Sequence, residues 1–354
     1  MIELITAQVE EVTFRDKNIT RFTIKSDGRL HNCINYNQLT GEVLEKDTVL
    51  LNTTAVELGL GSGGYHFVLA NLRSNGHSNI SSGHIMKLRY TPMQINCMAA
   101  EAQESPHHEL FNSFESLEHM PVIAGTLHSM LAPIALALKH LGGKKRIVYI
   151  MTDGGALPIW MSETVKRLWE DGVLIGTVTY GNAFGGDIEC INIYTALIAA
   201  KEILRADAAI VCMGPGIAGT DTKYGFSGIE QSQIIDAANN LKGKVIAVPR
   251  VSFSDSRSRH YGLSHHSRMT LGKLCCTKAF VAMPELESSK QKLLEAQLKE
   301  SGILSRHEVS FFSGEQVLGL MEKEQSMLLK MGKSFSQDKE YFLTCGLSAL
   351  LTIS

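Results

Sequence analysis

This sequence predicts an α/β fold: a doubly wound, mostly parallel sheet preceded by a small N-terminal β-barrel or sandwich domain. Three observations carry that expectation. Residues 1–90 break into short β-branched and aromatic runs separated by turn signals. From about residue 120, short apolar runs alternate with helical patterns six times. Those later runs are continuously apolar rather than alternating, which marks strands buried on both faces. At 354 residues the chain exceeds the length at which one core stops growing. The expected division is 1–90 all β, 91–117 a connector, and 118–354 a Rossmann-like α/β domain.

The first strands are read in ELITAQVEEVTF, ITRFTIKS, LHNCINY, TVLLNTTAV and YHFVLANL, with RDKN, SDG, GEVLEKD and GLGSGG as turns. GLGSGG (59–64) suggests a phosphate cradle, but no helix pattern follows it, so a glycine-rich hairpin or bulge is the expectation. His107, His108 and Glu109 in the connector read as a solvated loop or first helical turn. The apolar stretch VIAGTLHSMLAPIALAL (122–138) is broken by His128, Ser129 and Pro133. It falls short of the ~20 apolar residues a membrane span requires and is read as a buried helix ending at Gly142.

Strands then follow at RIVYIM (146–151), VLIGTVTY (173–180), AAIVCM (208–213), KVIAV (244–248), AFVAM (279–283) and HEVSFF (307–312). Each is succeeded by a helical pattern, and CGLSALL near the end is one more short helix.

Composition excludes some classes of function. The net charge of −2 gives no cationic excess to follow a phosphate backbone, so nucleic acid is not expected as the main partner. No membrane association is expected. The start, MIELITAQVEE, lacks a charged-then-apolar leader pattern, and the seven cysteines lack C-x-x-C spacing. Both features suggest reduced thiols and a cytoplasmic protein.

In an open parallel sheet, ligands bind beyond the carboxyl ends of the strands. The loops there carry the unusual residues: TDGGALP (152–158), GNAFGGD (181–187), GPGIAGTDTKYGFSG (214–228) and PRVSFSDSRSRHYGLSHHS (249–267). The connections at the other edge are short and plain (EDG, RADA, KGK). Four distant segments are therefore expected to line one cleft.

Within it, Gly214, Gly216 and Gly219 form a G-x-G-x-x-G spacing after a strand, with Thr220 next. Such glycines let backbone N–H groups approach a phosphate, although a merely tight structural turn is the commoner explanation. Asp236 lies where a dinucleotide site wants an acid, but inside a helix pattern. Asp153, followed by Gly154 and Gly155, can hold a hydroxyl or move a proton; an Asx-turn or helix cap is the alternative. Asp187 carries the same two readings, and Asn182 joins the substrate-binding candidates.

Arg250, Arg257 and Arg259, with Lys223 nearby, are the concentrated cations of this edge and favour an anionic ligand. His260, His265 and His266 are the sharpest feature. Adjacent helical positions diverge by about 100°, so His265 and His266 are not expected to share a metal. One of them with His260 and Asp187 is the metal-binding alternative. A helix N-terminus keeps an imidazole neutral and suited to proton transfer, and Ser264 reads as the cap of that helix. There is no G-x-S-x-G elbow at a strand-to-helix turn, no Walker motif and no H-E-x-x-H. No motif names a cofactor.

The stretches MTDGGALP, MGPGIAGTDTKYGFSG, RHYGLSHHS and NTTAVELGLGSGGYHFV resemble a bacterial family labelled a domain of unknown function, over nearly the full length. The resemblance implies a bacterial cytosolic origin and no reaction.

The functional expectation is an enzyme of the hydrolase or transferase type acting on a small anionic, phosphorylated or nucleotide-like substrate. Gly214, Gly216, Gly219 and Arg250, Arg257 or Arg259 would hold the anion; Asp153 with His265 or His266 would move protons. The alternative is a non-catalytic metabolite sensor or scaffold, and a third reading is a metal-dependent hydrolase. The β-domain is open to covering the cleft, forming a homo-oligomer or binding a partner.

Overall fold

The structure, a computed structural model, describes residues 2–73 and 82–353. The chain divides into two compact units, Met1–Cys97 and Met98–Ser354. Residues 91–117, expected as a connector, fall partly in each.

The first unit is a closed barrel of β1 (Leu4–Arg15), β2 (Ile19–Ser26), β3 (Arg29–Tyr36), β4 (Thr48–Asn52) and β5 (His66–Asn71), in the order β1-β2-β3-β5-β4. Val9, Phe22, Ile24, Cys33, Val49, Leu51 and Val68 alternate inward to fill it. Only the β3–β5 contact is parallel. The GLGSGG segment follows a single helical turn, Thr54–Glu57, rather than joining two strands. A short hairpin, β6 (Ile85–Lys87) with β7 (Ile95–Cys97), completes the unit.

The second unit is built on eight parallel strands. They are β8 (Pro121–Ala124), β9 (Ile147–Thr152), β10 (Gly176–Tyr180), β11 (Ile188–Cys190), β12 (Ala208–Met213), β13 (Lys244–Ala247), β16 (Phe280–Pro284) and β17 (Glu308–Phe312). A two-residue ribbon, β14 (Val251–Ser252) with β15 (Gly262–Leu263), stands apart from the sheet. The order is β11-β10-β9-β12-β8-β13-β16-β17. Every residue of β9 and β12 is buried, as continuous apolar runs require.

Helices cover both faces. Leu131–Leu141, Glu163–Glu170, Glu315–Lys323 and Lys339–Leu347 pack on one, around Ile134, Leu168, Met321 and Phe342. Ile193–Ile198, Glu230–Asn240 and Ser288–Ser301 pack on the other, around Leu197, Ile234 and Leu294. The faces follow from crossover handedness: connections running toward β11 use one face and those running toward β17 use the other. Adjacent strands β9 and β12, and β8 and β13, thus send their chains to opposite faces, and the sheet edge splits there.

The sequence expectation of a helix from residue 122 is corrected. Residues 121–124 are β8, the strand between β12 and β13, and the α-helix begins at Leu131. A four-residue strand that runs straight into an apolar helix has no periodicity of its own to betray it. The short edge strand β11 was likewise not expected.

The buried Gln231 sits at the end of the β8–β13 ladder, whose last bond runs from Val248 N to Ala124 O (2.9 Å). Its Nε2 donates to Ala124 O (2.8 Å) and Val248 O (3.0 Å), and its Oε1 lies 3.2 Å from the Thr270 hydroxyl. Among the described residues no helix is long and apolar enough to cross a membrane.

Ile123 is fully buried in β8. Ile123→Ala should destabilise the α/β unit by about 2–5 kcal/mol through lost burial and a cavity. Calorimetry should show this as a drop in one unfolding transition with the barrel's transition unmoved; a shared, unshifted melt would refute it.

Candidate functional site

The outgoing ends of β8, β9, β10, β12 and β13 all point the same way, because the strands are parallel. Their loops touch in series. Leu157 O accepts from Phe184 N (3.0 Å), joining the loops after β9 and β10. Pro215 O accepts from Ala156 N (2.6 Å), joining those after β9 and β12. Gly219, in the loop after β12, lies against His266: a Cβ there would be 3.9 Å from the ring. The four loops expected to be neighbours are neighbours.

The glycines act mainly as packing residues. A Cβ on Gly155 would sit 2.4 Å from Gly214 O, and one on Gly214 would sit 2.5 Å from Ala156 O. No side chain fits between these two backbones. A Cβ on Gly154 would meet Glu230 Oε1 at 2.9 Å. Gly216 is there for its conformation, φ +100°. Thr220 closes a turn of its own, with its hydroxyl 2.9 Å from both Gly225 O and Thr222 Oγ1. No helix follows the G-x-G-x-x-G segment directly; the next α-helix starts at Glu230, after a single turn at Ser227–Ile229. The spacing here makes a tight turn rather than a helix-backed phosphate loop.

Asp153 fastens the neighbouring loop. Its Oδ2 accepts from Asn182 N (3.1 Å) and presses on Gly181, whose φ is +68°. Among the described residues no hydrogen bond joins Asp153 to the histidines. Asp187 is corrected as a metal candidate. Its carboxylate accepts from Thr177 N (2.8 Å) and Thr177 Oγ1 (2.9 Å), at the incoming end of β10. That is the end of the strand opposite the outgoing loops.

Two functional-looking groups escaped the sequence reading. Glu230 opens its helix, accepts from the Thr152 hydroxyl and faces Asp153, Tyr149, Tyr180 and Cys212. Burial and the Asp153 charge push its carboxyl up to about 7, against the Thr152 bond, which lowers it. An acid in the first turn of a helix is so common that it gave no signal. His128, just after β8, ties three elements together. Its Nε2 lies 2.7 Å from Ser162 Oγ and its Nδ1 3.3 Å from Met213 O. The carbonyl requires Nδ1–H, which leaves Nε2 to accept from Ser162. Burial pulls its pKa down to about 4.

The histidine cluster is held by the β14–β15 ribbon. Leu263 N donates to Gln297 Oε1 (2.6 Å), and Ser264 caps the helix His265–Met269, as expected. His260 is buried, with Nδ1 2.7 Å from Ser264 Oγ and Nε2 accepting from Arg259 Nε (3.3 Å). His266 stacks flat on Phe226, with centroids 4.0 Å apart and planes inclined by 6°. The adjacent rings do not diverge as expected: His265 and His266 centroids are 4.3 Å apart. One ligand nitrogen from each of His260, His265 and His266 lies within 4.8 Å of the others. Burial first, then neighbouring charges, lowers all three pKa values, to about 3 for His260 and His266. The charges include Arg250 and Arg257 at His260, and Arg259 and Arg268 at His265.

The arginines already have partners. Arg250, 2% exposed, pairs through Nη2 with Asp255 Oδ2 (2.7 Å). Arg257 grips the same carboxylate with Nε (3.0 Å) and Nη2 (2.9 Å), holding Asp255 well below the usual carboxylate range. Arg259 pairs with the exposed Asp221, and Arg268 Nε donates to Leu263 O (3.1 Å). Among the described residues, two buried side-chain atoms of this cluster have no hydrogen-bond partner: Arg250 Nε and His265 Nε2.

Two surface concavities lie at other residues. One of about 660 Å³ is lined by Val12, Phe14, Arg15, Leu44 and Glu45, and one of about 460 Å³ by His140, Leu141, Glu315, Lys323 and Glu324. Neither includes a residue of the outgoing loops. The clustered, partnerless polar atoms are therefore the better guide to chemistry than concavity alone.

Residues 32–349 match the family described as a protein of unknown function, DUF3866. No curated protein matches the chain.

Glu230 supplies a pH test. Its folded pKa is raised from 4.5 to about 7, so the protonated form favours folding. That contribution is full below pH 4.5 and is lost as pH rises through 7. Glu230→Gln should leave the melting temperature unchanged near pH 4.5 and raise stability above pH 7 by on the order of 1–3 kcal/mol. His128 contributes in the opposite sense, with stability lost as pH falls from 6.5 through about 4. The measurement is therefore the variant-minus-wild-type difference; a flat difference would remove the assignment.

Proposed function

We propose that this chain, which belongs to the DUF3866 family, is an enzyme of the hydrolase or transferase type acting on a small anionic substrate at the outgoing edge of its parallel sheet. One observation carries the reading. Four guanidinium groups (Arg250, Arg257, Arg259 and Arg268) surround three imidazoles, with two carboxylates (Asp221 and Asp255) against them. Within that positive field, Arg250 Nε and His265 Nε2 are both buried and unpartnered. An anion's oxygen would satisfy the Arg250 donor, since a buried donor left without a partner costs about 1–3 kcal/mol.

The roles follow from exposure and pairing. Arg250 and Arg257 are locked on Asp255 and shape the floor of the site. Arg259 holds Asp221, whose side chain is 70% exposed, so an incoming anion competes with that carboxylate for the guanidinium. His265 is the proton-transfer candidate. Asp153 supports the loop beside it rather than sharing a proton with it. The thiols fit a cytoplasmic setting: all seven cysteines are free, and six of them are buried.

Thermal shift with inorganic phosphate and a panel of phosphorylated metabolites tests the reading. Asp221→Ala should free Arg259 and tighten anion binding by roughly 2–5-fold, the value of about one surface pair. His265→Gln should abolish turnover of the best substrate while anions still raise the melting temperature. An absence of any stabilising anion would overturn the proposal; binding without turnover would favour a metabolite sensor.

A further inference from the structure

The geometry points to His260, His265 and His266 as a site for one divalent transition-metal ion of the class that imidazole nitrogen holds, Zn²⁺ or Co²⁺. The inference deepens the proposed site, makes His265 a ligand in place of a proton carrier, and depends on that reading only for the fourth ligand. Three ligand nitrogens lie within 4.8 Å of one another. A tetrahedral ion bonded at ~2.0–2.1 Å needs them ~3.4 Å apart, a difference that small ring rotations close. The rings are inclined to one another by 35–78° and do not stack, so their edges can converge on one point.

Two of the three rings are oriented from behind. Ser264 Oγ engages His260 Nδ1 at 2.7 Å, which turns Nε2 toward the cluster, where it accepts from Arg259 Nε (3.3 Å), a bond the ion would displace. The Ser264 contact is the outer-shell arrangement that metal-binding histidines use. Phe226 clamps the face of His266, with its plane only 6° from parallel. His265 Nε2 is buried without a hydrogen-bond partner among the described residues, as a nitrogen prepared for an ion would be.

The surrounding guanidiniums oppose a cation, but Arg250 and Arg257 are tied to Asp255 and Arg259 to Asp221. An anion as fourth ligand offsets the remaining charge. Metal and anion should therefore bind with positive coupling, each raising the other's affinity by the same factor.

Full-length protein stripped with a chelator and titrated with Co²⁺ near neutral pH tests the inference by visible absorption. The expected result is one equivalent with an intense tetrahedral band that Zn²⁺ displaces and phosphate at low concentration strengthens. Ser264→Ala should weaken Co²⁺ binding by about 10–100-fold, and Ser264→Thr should restore it. His265→Gln and His266→Gln should weaken it further, and the surface variant His140→Gln should not change it. Melting curves of each variant separate lost ligation from lost folding, with the half-buried His265 as the safer substitution. No stoichiometric uptake, or uptake unchanged in His265→Gln, overturns the metal site. Phosphate binding without Co²⁺ uptake would leave the anion reading standing and remove this one; Co²⁺ uptake with no effect of any anion would do the reverse.

Discussion

A single buried amide organises the functional edge. Gln231 spends both Nε2 protons on the terminal carbonyls of diverging strand ends, Ala124 O and Val248 O, and offers its Oε1 to Thr270. Ala124 O also accepts the last ladder bond from Val248 N (2.9 Å), and beyond it the two chains leave for opposite faces. A side chain that meets both carbonyls carries the pairing one step past the end of the ladder and fixes the separation of the strands. Thr270 in turn lies 3.0 Å from His266 O. The helix that presents His265 and His266 is thus referenced to the middle of the sheet by three side-chain bonds rather than by loop packing alone.

That anchoring explains how so many charges can sit together. Arg250 is nearly inaccessible, and the neighbouring Lys330–Asp338 pair is fully enclosed, with Ser252 Oγ donating to Asp338 (2.8 Å). Ion pairs removed from water require close geometry to compensate for lost hydration. Only a rigid frame supplies it. Within the same frame His265 Nε2 and Arg250 Nε are buried without protein partners.

Much of this was legible in the sequence, and the gaps have physical causes. The six strands that stand between helical patterns were readable because continuous apolar runs of buried strands contrast with amphipathic neighbours. β8 merged into the apolar helix that follows it, so that one middle strand was hidden while its neighbours β12 and β13 were plain. The clustering of four loops on one edge followed from parallel topology and held. The roles inside them did not follow as simply. Gly155 and Gly214 answer to backbone proximity, and Asp153 to the turn at Gly181, which are contacts across the chain that no local spacing encodes. Asp187 lies within ten residues of the candidate loop's start, yet its side chain turns back along β10 to Thr177. His265 and His266 came together against helical spacing because side-chain torsions, not Cα positions, set where the ring nitrogens go. Glu230 was invisible because an acid at a helix start is ordinary; its burial beside Thr152 and Asp153 is not.

The backbone contact between Gly155 and Gly214 carries a further consequence. With Ala156 N bonded to Pro215 O, the loops after β9 and β12 are welded into one rigid rim across a split in the sheet. Downstream of the weld, Gly216 turns the chain at φ +100°, and the segment from Gly219 to Phe226 is folded on itself through Thr220, Thr222 and Gly225. Folded in this way, the segment binds Asp221 to the Phe226–His266 stack as one piece, so Asp221 cannot part from Arg259 by a large movement without that stack coming apart.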